Sequence, residues 1–184
     1  MAFLGLEEVQ AIGESLFEAE KSGRSIRLIS TANPDMDMED AYAIQKSLVN
    51  KKLADGRIIK GYKIGLTSRA MQKALGIDVP DSGVLFDNMF FDNCAKVPRG
   101  RFIEPRIEAE IAFFMKRNLK GANICSEEVS DATEYVAPAL EILDEVEKKI
   151  NKPVFSSNQT LIWDTIRSAG YKNSITGYGQ LLRI

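Results

Sequence analysis

A chain of 184 residues with 45% hydrophobic and 27% charged content has the size and apolar fraction of one globular domain, which excludes a disordered tail or a peptide. The 24 basic and 26 acidic residues leave a net charge of −2 with no basic run, so a nucleic-acid partner is not expected. No apolar stretch nears the ~20 residues of a membrane span, and histidine is absent, which removes imidazole bases, His metal ligands and Ser-His or Cys-His nucleophiles.

In chain order, Leu6, Val9, Ile12, Leu16 and Ala19 recur at helical spacing and predict an amphipathic helix that stops near Ser22-Gly23. A linker with Asn33-Pro34 follows. Asp37 and Asp40 open a second helix, which Ala41, Ile44 and Leu48 carry toward Gly56. Arg57 to Leu66 reads as a strand interrupted by glycines, where another backbone or a ligand can come close. Ser68 is expected to cap a short helix ending at Gly76. Beyond it the pattern turns to β: strands are expected at Val84 to Phe86, Arg106 to Met115 and Tyr135 to Leu143, with turns at Pro80-Asp81-Ser82-Gly83 and Asn118 to Asn123. Periodic order fades after Asp144. Cys94 and Cys125 form no close metal-type pair, and no signal-peptide pattern opens the chain, so inert thiols in a reducing cytoplasm are expected.

Along Arg106 to Phe114 a period of two puts Glu108 and Glu110 on one face and Ile107, Ala109, Ile111 and Phe113 on the other. Two carboxylates whose Cα atoms lie ~7 Å apart can repel when desolvated or grip one cation. Phe114, at the end of the acidic face, argues that this face is partly covered. Glu141 sits inside Ala139 to Leu143, a run that otherwise reads as core, where a lone acid is costly without a partner. On residue types alone two readings stand: acids on a solvated sheet face, or a shared oxygen-ligand site suited to Mg²⁺ or Mn²⁺. Glu104 precedes Pro105 and so falls outside the alternating strand.

Five segments, in this order, carry a resemblance: Gly61-Tyr62-Lys63-Ile64-Gly65-Leu66-Thr67-Ser68; Pro80-Asp81-Ser82-Gly83; Asp87-Asn88-Met89-Phe90; Arg101-Phe102-Ile103-Glu104-Pro105-Arg106-Ile107-Glu108-Ala109-Glu110; and Pro138-Ala139-Leu140-Glu141-Ile142-Leu143-Asp144. Together they resemble the 2-oxo-acid hydratase and decarboxylase branch of the fumarylacetoacetate hydrolase superfamily, and within it the 2-oxo-hept-4-ene-1,7-dioate hydratases. The resemblance implies an α+β fold with a mixed β-roll core, N-terminal helices outside it, and incomplete C-terminal strands. It implies one β-rich catalytic domain, with residues 1–144 holding the helices and the metal-site part and residues 145–184 forming a divergent tail.

It also implies a Mg²⁺ (or Mn²⁺) cofactor held by Glu108, Glu110 and Glu141, with Lys63 and Asp81 catalytic: Lys63 neutralises oxyanion charge and Asp81 transfers protons. The implied reaction is addition of water to a 2-hydroxydienoate or 2-oxo-alkenoate in meta-cleavage degradation of aromatic compounds, by a homo-oligomer whose partner is a small-molecule 2-oxo acid. The chain departs from the pattern at Tyr62, where His or Arg is frequent, at Asn88, where a second Asp is usual, and after Asp144, where only Asp164-Thr165-Ile166 echoes the expected loop. The divergent tail from Glu145 to Ile184 supports one alternative, a non-catalytic truncated remnant or assembly partner; a second, a 4-oxalocrotonate-type decarboxylase, stands because that reaction uses the same chelated 2-oxo acid and metal-stabilised enolate.

Overall fold

The helices and strands expected from apolar spacing are present in the computed structural model, which describes residues 3–144. In order they are α1 (Leu6–Ser22), α2 (Ile29–Ala32), α3 (Met38–Ala54), β1 (Ile59–Gly65), α4 (Arg69–Leu75), β2 (Asp81–Phe86), a 3₁₀ turn at Asp87–Met89, β3 (Pro105–Met115), α5 (Ser126–Ala132) and β4 (Thr133–Asp144). They fall into two units, residues 3–104 and Pro105–Asp144. The expected divergent tail and its Asp164-Thr165-Ile166 echo lie outside the described residues.

In the first unit α1 packs on α3, burying Val9 and Ala19 of α1 and Ile44 of α3. The helices approach closely at Gly13, where a Cβ would meet the Ser47 Cβ at 2.7 Å. The start of α3 is a reciprocal cap: the Asp37 carboxylate accepts from the Glu39 and Asp40 main-chain N–H groups (2.8 and 3.0 Å), and Asp40 accepts from Asp37 N–H at 3.1 Å. Asp40 is fully buried and also accepts from Phe3 N–H at 3.2 Å and Leu4 N–H at 3.0 Å. Burial pushes its pKa up, but the hydrogen bonds from Leu4, Asp37 and Phe3 outweigh burial and leave it below the ordinary aspartate value.

Strands β1 and β2 pair antiparallel, with a bulge between Ile59 and Gly61. Phe86, at the end of β2, is buried beneath Lys52 of α3, whose ammonium lies 5.2 Å from the ring centroid and pairs with Glu20 of α1. Asp87 closes the pair by accepting from Ile58 N–H at 2.9 Å, with Arg57 at 3.6 Å. The Ile58 hydrogen bond, reinforced by the Arg57 charge, holds the Asp87 pKa down against partial burial.

The second unit is an antiparallel pair of long strands, β3 and β4, in register from Pro105↔Asp144 to Phe114↔Tyr135, with an irregularity before Met115. Phe114 and Tyr135 stack with centroids 4.3 Å apart. The strands alternate as expected, and the apolar face that carries Ile107, Ile111 and Leu140 is exposed.

The observed class is α+β, and the described strands form two two-stranded antiparallel sheets. Three local expectations are corrected. Asp81, Ser82 and Gly83 extend β2 rather than turning, because ladder pairing with β1 overrides local turn chemistry. Ser68 stands at the N-cap position of α4 without a side-chain hydrogen bond, although Gly76 ends that helix in the left-handed region. The linker holds the one-turn α2, too short to leave a periodic signal, and α5 was not anticipated. Both cysteines are exposed free thiols, and no described helix is long and apolar enough to cross a membrane.

The Asp40 cap generates a pH prediction. Because its folded pKa is lowered, its stabilising contribution is fully present above the unfolded aspartate value of about 4 and is lost as pH falls through the lower folded value. Thermal melts followed by circular dichroism are expected to show Asp40→Ala melting below Asp37→Ala at pH 7. Asp37→Ala, the loss of an ordinary N-cap, is expected to cost about 1 kcal/mol. Asp40→Asn is expected to flatten the decline in melting temperature of the unaltered chain between pH 4 and pH 3.

Candidate metal centre

Cross-strand register does for the acids what spacing alone could not. Glu108 of β3 stands directly opposite Glu141 of β4, and Glu110, opposite Ala139, lies one pleat along on the same face. One carboxylate oxygen from each of the three lies within 4.8 Å of one from each of the others. Glu108 and Glu141 are half-buried and Glu110 is exposed. Like charges directly opposite in an antiparallel pair disfavour it, and a cation between them would relieve that cost. The donor set, three carboxylates with no nitrogen or sulfur ligand, would fit a hard divalent ion such as Mg²⁺. Three carboxylates also leave coordination positions open for other oxygen ligands.

In the first unit Lys63 and Asp81 share the half-buried face of the β1/β2 pair, while Tyr62 and Ile64 on the other face are exposed. Their cross-strand partners are glycines: Lys63 faces Gly83 and Asp81 faces Gly65. A Cβ at Gly83 would meet Lys63 Cγ at 2.9 Å, and one at Gly65 would overlap Asp81 Oδ1. Each glycine therefore leaves room for the partner's side chain to lie across the sheet, which is the close approach its position in the strand foreshadowed. Leu66, just beyond β1, has φ +53°, and its carbonyl accepts from Gln72 Nε2 of α4 at 2.6 Å.

Two supporting residues went unnoticed in the sequence. The Tyr42 hydroxyl accepts from Ser82 N–H at 3.1 Å, and Gln45 Nε2 donates to Ser82 O at 2.8 Å. Both come from α3, three residues apart and so on one side of the helix, and they anchor β2 at the residue after Asp81. A Tyr and a Gln at that spacing were the available signal, but what they would bond was not.

No family model matches the chain. It is 49% identical over 133 residues to the 2-oxo-hept-4-ene-1,7-dioate hydratase of Escherichia coli, an alignment covering 72% of this chain and 50% of that protein. It is 40% identical over 137 residues to the 2-keto-4-pentenoate hydratase of Paraburkholderia xenovorans, covering 74% and 51%. Among solved structures, the 4-oxalocrotonate decarboxylase of Pseudomonas putida G7, complexed with magnesium and adipate, superposes with a TM-score of 0.76 at 32% identity, covering 82% of this chain and 57% of that one. The same decarboxylase complexed with calcium and acetate gives 0.75. The resemblance to 2-oxo-acid hydratases thus holds across about three quarters of the chain, which spans about half the length of the curated relatives it matches.

Titration calorimetry with Mn²⁺ checks the cluster. Glu110→Gln is expected to weaken Mn²⁺ binding by roughly 10-fold to 100-fold, while Glu104→Gln, before the strand, leaves it unchanged. Mn²⁺ at about 100 times its Kd is expected to stabilise the unaltered chain by about 2.7 kcal/mol, seen as a rise in melting temperature that EDTA reverses.

Proposed function

We propose that this chain carries the metal-holding and proton-handling residues of a metal-dependent hydro-lyase that adds water to a 2-hydroxydienoate, with 2-oxo-hept-4-ene-1,7-dioate the favoured substrate, in meta-cleavage breakdown of aromatic compounds. The observation that carries this reading is the convergence of Glu108, Glu110 and Glu141 on one face with their carboxylate oxygens within 4.8 Å. The 49% identity to a heptenedioate hydratase favours that substrate over shorter ones. The decarboxylase complexes with magnesium and adipate, and with calcium and acetate, support a divalent ion, Mg²⁺ or Mn²⁺, together with a carboxylate ligand. The proposal includes a β-roll core of the fumarylacetoacetate hydrolase type, a single catalytic domain to which residues 1–144 belong, a cytoplasmic setting and self-association.

In this reading Glu108, Glu110 and Glu141 hold the ion. When bound, the ion supplies Lewis acidity at the substrate's 2-oxo oxygen. Asp81 accepts the proton of the 2-hydroxyl as the dienol ketonises and returns a proton to carbon. Lys63 offsets the negative charge that develops on the substrate oxygen. Water then adds across the conjugated alkene to give a 4-hydroxy-2-oxo acid. A second reading, decarboxylation, draws on the fold likeness to 4-oxalocrotonate decarboxylase, since a 2-oxo acid that loses CO₂ passes through a similar enolate.

Loss of 2-hydroxydienoate absorbance, followed with and without EDTA, tests the proposal, and the expected product by NMR is the 4-hydroxy-2-oxo acid. Equal rates in both conditions overturn the metal requirement, and released CO₂ moves the assignment to decarboxylation. A folded chain that binds Mn²⁺ but turns nothing over supports the remnant alternative. Gly65→Ala, which crowds the Asp81 carboxylate, is expected to lower turnover about 10-fold or more while Mn²⁺ affinity stays constant.

A further inference from the structure

We infer that Tyr42 and Gln45 are positioning residues for Asp81: through the main chain of Ser82 they hold its carboxylate where it can move the substrate's proton. This inference rests on the proposed function, which makes Asp81 the proton carrier. Asp81 is the first residue of β2 and pairs with Gly65, the last residue of β1, so it stands at the end of the ladder, where a two-stranded pair frays most easily. Its cross-strand partner, a glycine, offers no side chain to hold the carboxylate, and the aim of that carboxylate therefore comes from the main chain of β2.

Ser82 secures that main chain. Among the described residues β2 pairs with β1 alone, so its other edge has no strand beside it. Successive residues of an antiparallel pair turn their N–H and C=O groups alternately toward the partner strand and away from it. Ser82 turns both toward α3: its N–H donates to the Tyr42 hydroxyl at 3.1 Å, and its carbonyl accepts from Gln45 Nε2 at 2.8 Å. One acceptor and one donor thus reproduce, at the residue next to Asp81, what a third strand would offer. Burial of Phe86 holds the far end of β2, and the polar clamp serves the end that carries Asp81. On the facing strand Gln72 of α4 bonds the carbonyl of Leu66, the residue after Gly65, so both members of the closing pair are flanked by a held residue. Proton transfer depends on such placement, because a displacement of about 1 Å can cost about 100-fold in rate.

The test follows loss of 2-hydroxydienoate absorbance by the whole chain in saturating Mn²⁺. Tyr42→Phe removes the acceptor and Gln45→Leu the donor, each keeping most of the side chain's bulk. Each is expected to lower kcat about 10-fold with KM and Mn²⁺ affinity unchanged. Because the effect passes through Asp81, Tyr42→Phe is expected to cost nothing further in an Asp81→Asn background; full additivity there overturns the inference in favour of a general structural role. Amide hydrogen exchange, which needs neither metal nor turnover, is expected to quicken at Asp81 to Gly83 in both variants, and unchanged exchange there overturns the clamp. Should Gln45→Leu unfold the chain, Tyr42→Phe decides alone, since it removes one oxygen from a side chain already 37% exposed. Turnover that falls in Asp81→Asn but not in Tyr42→Phe or Gln45→Leu overturns the positioning role alone. Absence of turnover by the unaltered chain, or none lost in Asp81→Asn, overturns the proposed role of Asp81 and this inference together.

Discussion

Placing Glu108 opposite Glu141, with Glu110 one pleat away, is the constraint on which the second unit depends. Antiparallel pairs disfavour like charges face to face, and a cation held among the three carboxylates would offset that repulsion. The register that creates this repulsion is held by the rest of the ladder. A one-residue slip of either strand would turn its acids to the opposite face and break the cluster, and it would separate Phe114 from its stacked partner Tyr135.

In the first unit α3 plays the equivalent part. Its N-terminal turn, through Asp40, ties down the main chain at Phe3 and Leu4; its middle, through Tyr42 and Gln45, anchors Ser82. Its last turns place Lys52 over the buried ring of Phe86. One helix thus fixes both ends of β2, on whose inner face Asp81 lies beside β1. Lys63 and Asp81 then depend on their glycine partners, because side chains at positions 65 and 83 would occupy the space that the charged groups now fill. The two charged residues and the two glycines form one arrangement, and neither pair has its present geometry without the other.

Much of this was legible in the residues. Period-two alternation put Glu108 and Glu110 on a common face, because side-chain direction in a strand is a local property of the backbone. Helical spacing and the Asp37 cap located α1 and α3, since both signals act within a few residues. The ordered motifs, read as a resemblance, pointed to Glu141, Lys63 and Asp81, and those motifs are carried by the chain itself.

Which residues meet across the chain was settled only by tertiary structure. No local signal pairs Glu108 with Glu141, because their register is set by contacts summed along two whole strands. Nor could turn propensity reveal that Asp81 to Gly83 form a strand, since hydrogen bonds to a partner distant in sequence outweigh the local preference. Tyr42 and Gln45 are ordinary helix residues until β2 lies beside them. The sequence by itself determined which way each acid points, because that depends on neighbours one or two residues away; the fold decided which acids meet, because that depends on every contact between them.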